Sequence, residues 1–235
     1  MSRSSQGTKA TARAIHADSG TLDLAQLRTV LASALIADSM DALGLNARCL
    51  GWDIVPLQPQ DVLVGRAFTV HQNEVDGPSA TPYQGLLRAL EKIGPDEVFV
   101  IPTGRSTKAA VWGELVSTAS RHRGAAGALT DGLVRDSTKV RALGFPVFAR
   151  GTTPLDTNGR LEITDLAPES IIDGVTIRRG DLIVGDADGV VVVPWEASLE
   201  VVTRAQAKLR GEAKFRHAVS TGIAPSVAFE RYGVL

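Results

Sequence analysis

The stretch that decides the fold is EVFVIPTGRSTKAAVWGELVSTASRHRGAAGALTDGLVRDSTKVRALGFPVFA, residues 97–149. Short β-branched or apolar runs alternate in it with amphipathic segments that end at glycine. Alternation of strand and helix is typical of parallel β-α units and therefore predicts an α/β fold. The predicted strands and helices are, in order, Glu97–Ile101, Glu114–Arg123, Ala125–Thr130, Ser137–Leu143 and Pro146–Ala149.

The flanking sequence extends this fold in both directions. On the N-terminal side the spacing predicts a helix over Leu24–Asp38, a short helix over Ser39–Leu43, a strand over Val62–Val70 with a bulge or close contact at Gly65, and a helix over Tyr83–Ile93. On the C-terminal side it predicts antiparallel strands, because their connections are short, and then a long helix. These segments are Val175–Ile177, Leu182–Val184, Val190–Val193 and Trp195–Ala218.

One α/β domain over residues 22–235 is therefore expected, with a mixed sheet flanked by N- and C-terminal helices. Terminal helices outside a core often form subunit contacts, so we expect an oligomer. Residues 1–21 are small and polar and are interpreted as a disordered arm. They lack the apolar core of a secretory signal, and together with a lone thiol this predicts a cytoplasmic protein.

Composition excludes several classes of function. The 235 residues carry 25 basic and 26 acidic side chains, a net charge of -1, so no basic excess favours nucleic acid. Aromatic residues make up only 5%, which disfavours a base-stacking surface. The single cysteine, Cys49, excludes a disulfide framework and a cysteine-rich zinc site. Apolar runs are too short to cross a membrane.

The densest group of chemically useful residues is DGLVRD, residues 131–136, which follows a predicted strand and precedes a predicted helix. Ligands of α/β sheets bind at such strand ends. A carboxylate such as Asp136 with waters is how Mg²⁺ is usually held, and the Arg135 guanidinium matches a carboxylate or a developing enolate oxygen. The alternative is that Asp136 caps a helix while Arg135 forms a surface ion pair.

A second group, VWGELV at residues 111–116, also lies between a predicted strand and a helix. Free backbone amides over Gly113–Val116 would bind a small carboxylate, and Gly113 permits close approach. The alternative is a glycine that only starts a helix, with Glu114 in its first turn. Parallel neighbouring strands would bring both turns to one sheet edge, where Glu114 would reach the metal shell of Asp136 directly or through water.

These residues resemble the RraA-like family, which includes 4-hydroxy-4-methyl-2-oxoglutarate aldolases, oxaloacetate decarboxylases and regulators of ribonuclease activity. The shared signature is an acidic residue, twenty intervening residues and Arg-Asp, here Glu114 and Arg135-Asp136. The family usually has aspartate at the first position. Further shared stretches are AVWGE at 110–114 and the glycine- and aspartate-rich run from Gly180 to Val190, followed by Pro194.

The resemblance implies a swivelling β/β/α domain assembled as a trimer or a dimer of trimers. It implies Mg²⁺ or Mn²⁺ on Asp136, a 2-keto acid over Gly113, Glu114, Leu115 and Val116 in contact with Arg135, and pyruvate released through a metal-stabilised enolate. Glu114 would position water for proton transfer, and Glu212 of a neighbouring subunit would help to order that water.

Other interpretations stay open beside this one. The chain could bind and inhibit a ribonuclease without catalysis, or Lys108 or Lys139 could form a Schiff base on the same scaffold. The run GDADG at 185–189 resembles a calcium loop but favours a hairpin turn, and the histidines show no metal-binding spacing. Cys49 is expected to be a small buried residue, and the three tryptophans, Trp52, Trp112 and Trp195, are expected to anchor packing.

Overall fold

The computed structural model describes residues 22–234, which form seven helices and fourteen strands. The helices are α1 (Leu24–Leu27), α2 (Ser33–Ala42), α3 (Gln84–Lys92), α4 (Glu114–His122), α5 (Ser137–Leu143), α6 (Trp195–Ser220) and α7 (Pro225–Tyr232). The strands are β1 (Arg48–Cys49), β2 (Val55–Pro56), β3 (Leu63–Glu74), β4 (Glu97–Ile101), β5 (Ala110–Trp112), β6 (Gly127–Thr130), β7 (Leu133–Val134), β8 (Val147–Ala149), β9 (Gly151–Thr152), β10 (Leu161–Leu166), β11 (Glu169–Ile172), β12 (Val175–Arg178), β13 (Leu182–Asp186) and β14 (Gly189–Val193).

A mixed sheet of nine strands forms the centre of the fold. Its order is β1-β14-β13-β3-β4-β6-β8-β2, and β10 also pairs with β3. Strands β3, β4, β6 and β8 are parallel neighbours, whereas β13 and β14 are antiparallel. A separate sheet of three short parallel strands has the order β5-β7-β9. The α/β fold with a mixed sheet predicted from the sequence is thus confirmed.

The central sheet is covered on both faces. Side chains of one face, such as Phe68 and Phe99, pack against Trp112 and helices α3 to α5, and Val64 lies in a second cluster with α1, α2 and α6. The opposite face, including Leu63, packs against the β11-β12 hairpin. Aliphatic and aromatic burial on both faces explains why the central strands have continuous apolar sequences.

Several predicted elements have the predicted bounds. Strand β4 and helix α5 agree to the residue, and α3, α4, β6 and β8 agree within two residues at each end. The GDADG run is the tight turn of the β13-β14 hairpin, as the sequence favoured. Gly65 is a close contact, because an added Cβ would lie 2.6 Å from the Asp96 carbonyl oxygen.

The prediction of one helix over Leu24–Asp38, followed by another over Ser39–Leu43, is wrong. Helix α1 ends at Leu27, and α2 runs as one element from Ser33 to Ala42. Between them the Arg28 side chain donates to the Val64 carbonyl and to the Asp96 carboxylate. Because these partners are distant in sequence, helical periodicity carries no signal of the break.

The predicted antiparallel pairing of β12 with β13 is also wrong. Strand β12 pairs with β11, whereas β13 lies between β14 and β3. The turn between them redirects the chain, since the Asp181 carboxylate accepts hydrogen bonds from the amides of Arg178 and Trp195. A short connection here joins two different sheets.

Two packing expectations are wrong as well. Cys49 lies on strand β1 and is exposed, because β1 is the edge of the central sheet in the described part of the chain. Trp52 is 91% exposed, whereas Trp112 is buried and Trp195 packs beside a core cluster under the Arg66 guanidinium.

Residues 1–21, interpreted as a disordered arm, lie outside the described residues, as does Leu235. In the described part of the chain no helix has the length and apolar character needed to cross a bilayer.

Helix α3 approaches β10 so closely that only glycine fits at position 85. A Cβ on Gly85 would lie 1.6 Å from the Ile163 carbonyl oxygen. We expect Gly85→Ala to lower the free energy of unfolding in urea by about 1–3 kcal/mol, the usual cost of overpacking. The matched control is Gly94→Ala, whose Cβ would meet only Glu97 Oε2 at 3.7 Å. Equal stability of the two variants would contradict this prediction.

Candidate active site

Two turns from the small sheet meet at one place on the surface. Strand β5 ends at Trp112 and leads through Gly113 into α4, while β7 ends at Val134 and leads through Arg135 and Asp136 into α5. Since β5 and β7 are parallel neighbours, both turns emerge at the same edge. The Arg135 amide donates to the Trp112 carbonyl oxygen at 2.9 Å. The structure therefore brings together the two turns that the sequence singled out.

The path of the chain into the second turn differs from the prediction. The second turn does not follow the Ala125–Thr130 strand directly, because β7 lies between β6 and Arg135. Asp131 is 1% exposed and does not reach the cavity. Its carboxylate instead accepts hydrogen bonds from the Thr103 amide and hydroxyl and from the Arg105 amide. Asp131 is therefore a structural residue that holds the loop after β4.

Asp136 occupies the N-cap position of α5 but does not cap the helix. Its side chain makes no capping hydrogen bond, and its backbone is left-handed with φ of 53°. The side chain is 42% exposed, and its Oδ2 lies 3.8 Å from Arg135 Nε. The helix cap expected in the alternative is therefore wrong, and the carboxylate is available to a ligand. The ion pair that the alternative expected at Arg135 is present. A left-handed non-glycine residue is uncommon and is often found at a functional site.

Gly113 provides space rather than conformational freedom. Its backbone is extended, so any residue could adopt it. A Cβ here, however, would lie 3.1 Å from Asp136 Oδ2 and 3.1 Å from Arg135 Cγ. The turn is fixed from behind, since Trp112 Nε1 donates to Ser117 Oγ, which donates to the Gly113 carbonyl. The first amides of α4 thus border an open space beside Asp136 and Arg135.

Glu114, Leu115 and Val116 form the rest of this wall. Glu114 Oε1 accepts a hydrogen bond from the Thr118 hydroxyl at 3.0 Å, which leaves Oε2 for other partners. Leu115 is 75% exposed, and Val116 is partly buried. All three line one cavity with Arg135 and Asp136. The structure thus gathers the predicted substrate and metal residues of one chain.

Two further residues, which the sequence did not single out, hold Arg135. Asp156 Oδ1 lies 3.0 Å from Arg135 Nη1, and Asp156 Oδ2 accepts a hydrogen bond from the Tyr83 hydroxyl at 2.5 Å. Both residues line the cavity. They come from segments 52 and 21 residues away from Arg135, so no local spacing reveals them. Tyr83 and Asp156 are positioning residues for the guanidinium.

Asp156 and Tyr83 have different protonation states at neutral pH. Burial raises the pKa of Asp156, but hydrogen bonds from Tyr83 and backbone amides, with the Arg135 charge, outweigh it and hold that pKa below its usual value. The hydrogen bond to Asp156 raises the pKa of Tyr83. A carboxylate is therefore present beside Arg135, and a neutral phenol beside the carboxylate, throughout the neutral range.

We expect Tyr83→Phe to raise the pKa of Asp156, because the variant loses a donor to the ionised form. An ion pair whose carboxyl pKa is lowered is lost when the pH falls through that pKa, because the carboxylate is then protonated. In Tyr83→Phe the Arg135–Asp156 pair would therefore be lost at a higher pH than in the native protein. Titration of the Asp156 carboxyl carbon by NMR measures the shift, and Tyr232→Phe on α7 is the matched control. An unchanged titration would show that the hydrogen bond does not bias Asp156.

The cavity has a volume of about 330 Å³ and a polar and an apolar side. Glu114, Arg135, Asp136 and Asp156 form the polar side, and apolar side chains of α3 and α4 form the other. The other predicted candidates lie elsewhere. Lys108 pairs with Glu74, and neither Lys108 nor Lys139 lines the cavity, which disfavours a Schiff base. Glu212 lines a separate cavity beside α6, so its role from a neighbouring subunit stays a prediction.

The donor set fits a hard divalent cation held partly by water. Among the described residues no group of three or more His, Cys, Asp or Glu side chains is arranged to hold a metal. An uncapped carboxylate on Asp136, a second carboxylate on Glu114 and the open space beside Gly113 instead suit Mg²⁺ or Mn²⁺, which keep waters and take few protein ligands.

Comparison with known proteins gives matches over most of the chain. A family profile described as RraA-like, Aldolase/RraA, matches residues 33–192. A protein of Halalkalibacterium halodurans, provisionally named a 4-hydroxy-4-methyl-2-oxoglutarate aldolase, is 33% identical over 200 residues, which cover 85% of this chain and 90% of that protein.

Solved structures show the same similarity. An uncharacterized protein from Pseudomonas syringae pv. tomato has a TM-score of 0.76 and 29% identity, covering 87% of this chain and 95% of that chain. RraAS2 from Streptomyces coelicolor, described as an unusual member of the RNase ES inhibitor RraA family, has a TM-score of 0.72 and 27% identity, covering 82% of this chain and 94% of that chain. The fold implied by the resemblance is therefore confirmed.

Proposed function

The chain belongs to the RraA-like family, and from that premise we propose that it is a divalent-metal-dependent lyase that cleaves a 2-keto acid and releases pyruvate. Relatives named as aldolases support the lyase class. The observation that carries the proposal is the uncapped Asp136 carboxylate beside Arg135 and the first amides of α4, all in one cavity. The substrates considered are those of 4-hydroxy-4-methyl-2-oxoglutarate type and oxaloacetate.

Asp136 would hold the cation, and Glu114 would contact it directly or through water. A Mg²⁺ or Mn²⁺ ion bound there supplies Lewis-acid polarisation of the keto group. The side chain of Asp136 is free for this role, because it does not cap α5.

Arg135 and the α4 amides would orient the substrate. The amides at Gly113–Val116, with the positive end of the helix dipole, favour the carboxylate next to the keto group. The Arg135 guanidinium supplies positive charge where the bond electrons collect on the keto oxygen. Asp156 holds Nη1 of that guanidinium, which leaves its other N–H groups for the substrate.

The bond that breaks is the one between C3 and C4 of the keto acid. In an aldol substrate the C4 hydroxyl loses its proton, C4 leaves as a second carbonyl compound, and C3 gains a proton to give pyruvate. In oxaloacetate C4 leaves as carbon dioxide. Glu114, with one oxygen free of the Thr118 hydrogen bond, would take and return the proton through an ordered water.

Metal removal tests this proposal. Pyruvate release from 4-hydroxy-4-methyl-2-oxoglutarate or oxaloacetate is coupled to lactate dehydrogenase and followed by NADH absorbance. We expect activity to disappear after exhaustive chelation and to return with Mg²⁺ or Mn²⁺ but not with buffer alone. If activity survives chelation and borohydride inactivates the enzyme by trapping a Schiff base, the chemistry belongs to a lysine instead.

Regulation of a ribonuclease is the second candidate function. It is favoured by the structural similarity to RraAS2, a member of an RNase inhibitor family. The same preparation distinguishes the two functions. The ribonuclease function would replace the lyase proposal if the chain binds and inhibits a ribonuclease but releases no pyruvate, with Mg²⁺ or Mn²⁺, from oxaloacetate or from any 4-hydroxy-2-keto acid tested.

A further inference from the structure

The charges of the cavity are unbalanced. Three carboxylates line it, those of Glu114, Asp136 and Asp156, whereas Arg135 is the one cationic side chain among the described lining residues. Asp156 already occupies Nη1 of Arg135. One guanidinium and a bound divalent cation match the carboxylate and keto group of a 2-keto acid. A second carboxylate on the substrate would find no further cationic partner among the described residues that line the cavity.

Beyond the charged end the cavity continues as an apolar groove between α3 and α4. Its walls are Leu86, Leu87 and Leu90 of α3 and Leu115, Val116 and Ala119 of α4. Both sets follow i, i+1, i+4 spacing, so each helix turns one apolar face to the groove. Leu87 is 54% exposed and Leu115 is 75% exposed. These faces are apolar surface that a ligand could remove from water.

The apolar groove adjoins the charged end of the same cavity. Glu114 lies at the charged end, and Leu115 and Val116 follow it directly in α4. Tyr83, which holds Asp156, immediately precedes α3 and lines the same cavity. A keto acid whose first carbons contact Arg135 and the α4 amides would therefore extend its distal carbons between the two helices.

We propose that the substrate is a 2-keto acid with a single carboxylate and an apolar substituent beyond C4, which lies between α3 and α4. This inference rests on the proposed lyase chemistry, and it replaces the two dicarboxylate substrates considered there with a monocarboxylate class. A second carboxylate would lose its hydration against leucine side chains and would be repelled by nearby carboxylates. An alkyl chain would instead bury the exposed faces of Leu87 and Leu115.

The proposed substrate differs from the one named for the relatives of this chain. The name 4-hydroxy-4-methyl-2-oxoglutarate describes a substrate with a carboxylate at each end. The bond cleaved would be the same, because the reacting carbons lie at the charged end. The specificity would differ, because the distal group meets the α3 and α4 leucines.

Binding of uncleavable 2-keto acids tests the substrate class without requiring turnover. Calorimetry on the full chain with Mg²⁺ compares pyruvate, 2-oxobutanoate, 2-oxopentanoate and 2-oxohexanoate. Each added CH₂ is expected to lower Kd about fourfold. A second pair isolates charge, since 5-methyl-2-oxohexanoate carries an isopropyl group where 2-oxoglutarate has its distal carboxylate. We expect 2-oxoglutarate to bind at least about tenfold more weakly.

Equal or tighter binding of 2-oxoglutarate, or no dependence on chain length, would overturn the inference. Pyruvate release from 4-hydroxy-2-keto acids with alkyl tails is measured in parallel. Loss of that activity with the binding preference intact would contradict the proposed lyase and not the apolar groove. Activity on the dicarboxylate alone would contradict the groove and not the lyase.

A charge placed in the groove provides the decisive variant. Leu87→Arg is expected to reverse the preference and tighten 2-oxoglutarate at least about tenfold relative to 5-methyl-2-oxohexanoate. Leu199→Arg on α6, where the leucine is 41% exposed and outside the cavity, is the control and should keep the original preference. The mass of the assembly is measured by light scattering for both variants. If Leu87→Arg changes this mass but leaves the ligand preference unchanged, the groove is a subunit surface and the inference fails.

Discussion

Asp136→Asn is expected to lower kcat/KM for pyruvate release by about 10³-fold, because a metal contributes several kcal/mol of charge stabilisation and the amide binds it poorly. Asparagine is the informative substitution. It tolerates the left-handed backbone that Asp136 adopts at φ of 53°, whereas alanine would add strain to the loss of charge. Since the side chain caps nothing, the variant should unfold at the same urea concentration as the native protein.

Asp96→Asn is the matched control for this variant. Asp96 is also left-handed, with φ of 60°, and its carboxylate pairs with Arg28 outside the cavity. The control should keep its activity. Calorimetric titration with Mn²⁺ supplies a second readout, in which Asp136→Asn loses binding and Asp96→Asn keeps it. More than a tenth of native activity in Asp136→Asn would remove this carboxylate from the metal site.

The meeting of the two turns singled out from the sequence has a simple physical basis. Gly113, Glu114, Arg135 and Asp136 are all placed by local rules, since each lies at or just before the start of a helix with recognisable periodicity. Their meeting required only that the two strands be parallel neighbours. That condition was met by β5 and β7, strands of three and two residues that are too short to be predicted individually.

The residues that escaped prediction are those fixed by tertiary contacts alone. Asp156 and Tyr83 meet Arg135 only after three separate segments have folded. The break after α1 depends in the same way on Arg28 reaching Val64 and Asp96. Helical spacing measures local amphipathicity, so it cannot register an interaction whose partner is dozens of residues away.

Arg135→Ala is expected to lower kcat by about 10²–10³-fold, the usual effect of removing one group that stabilises a developing oxyanion. The guanidinium sits between the Asp136 and Asp156 carboxylates, at 3.8 Å and 3.0 Å. Removing it therefore also leaves neighbouring carboxylates without their cation. Tight metal binding should persist, because Asp136 is unchanged. This persistence separates the variant from Asp136→Asn in the Mn²⁺ titration.

Arg135→Lys decides whether charge alone explains the role of this residue. Lysine keeps the positive charge but lacks the planar fork that lets arginine hold Asp156 with one nitrogen and a substrate oxygen with another. If fork geometry matters, kcat for Arg135→Lys stays within about tenfold of that for Arg135→Ala, whereas recovery to near-native kcat would show that a point charge suffices. Arg204→Lys on the exposed side of α6 is the control and should retain native kcat and KM. Native kcat in Arg135→Ala itself would remove the guanidinium from the reaction and leave Asp136 and the α4 amides as the substrate site.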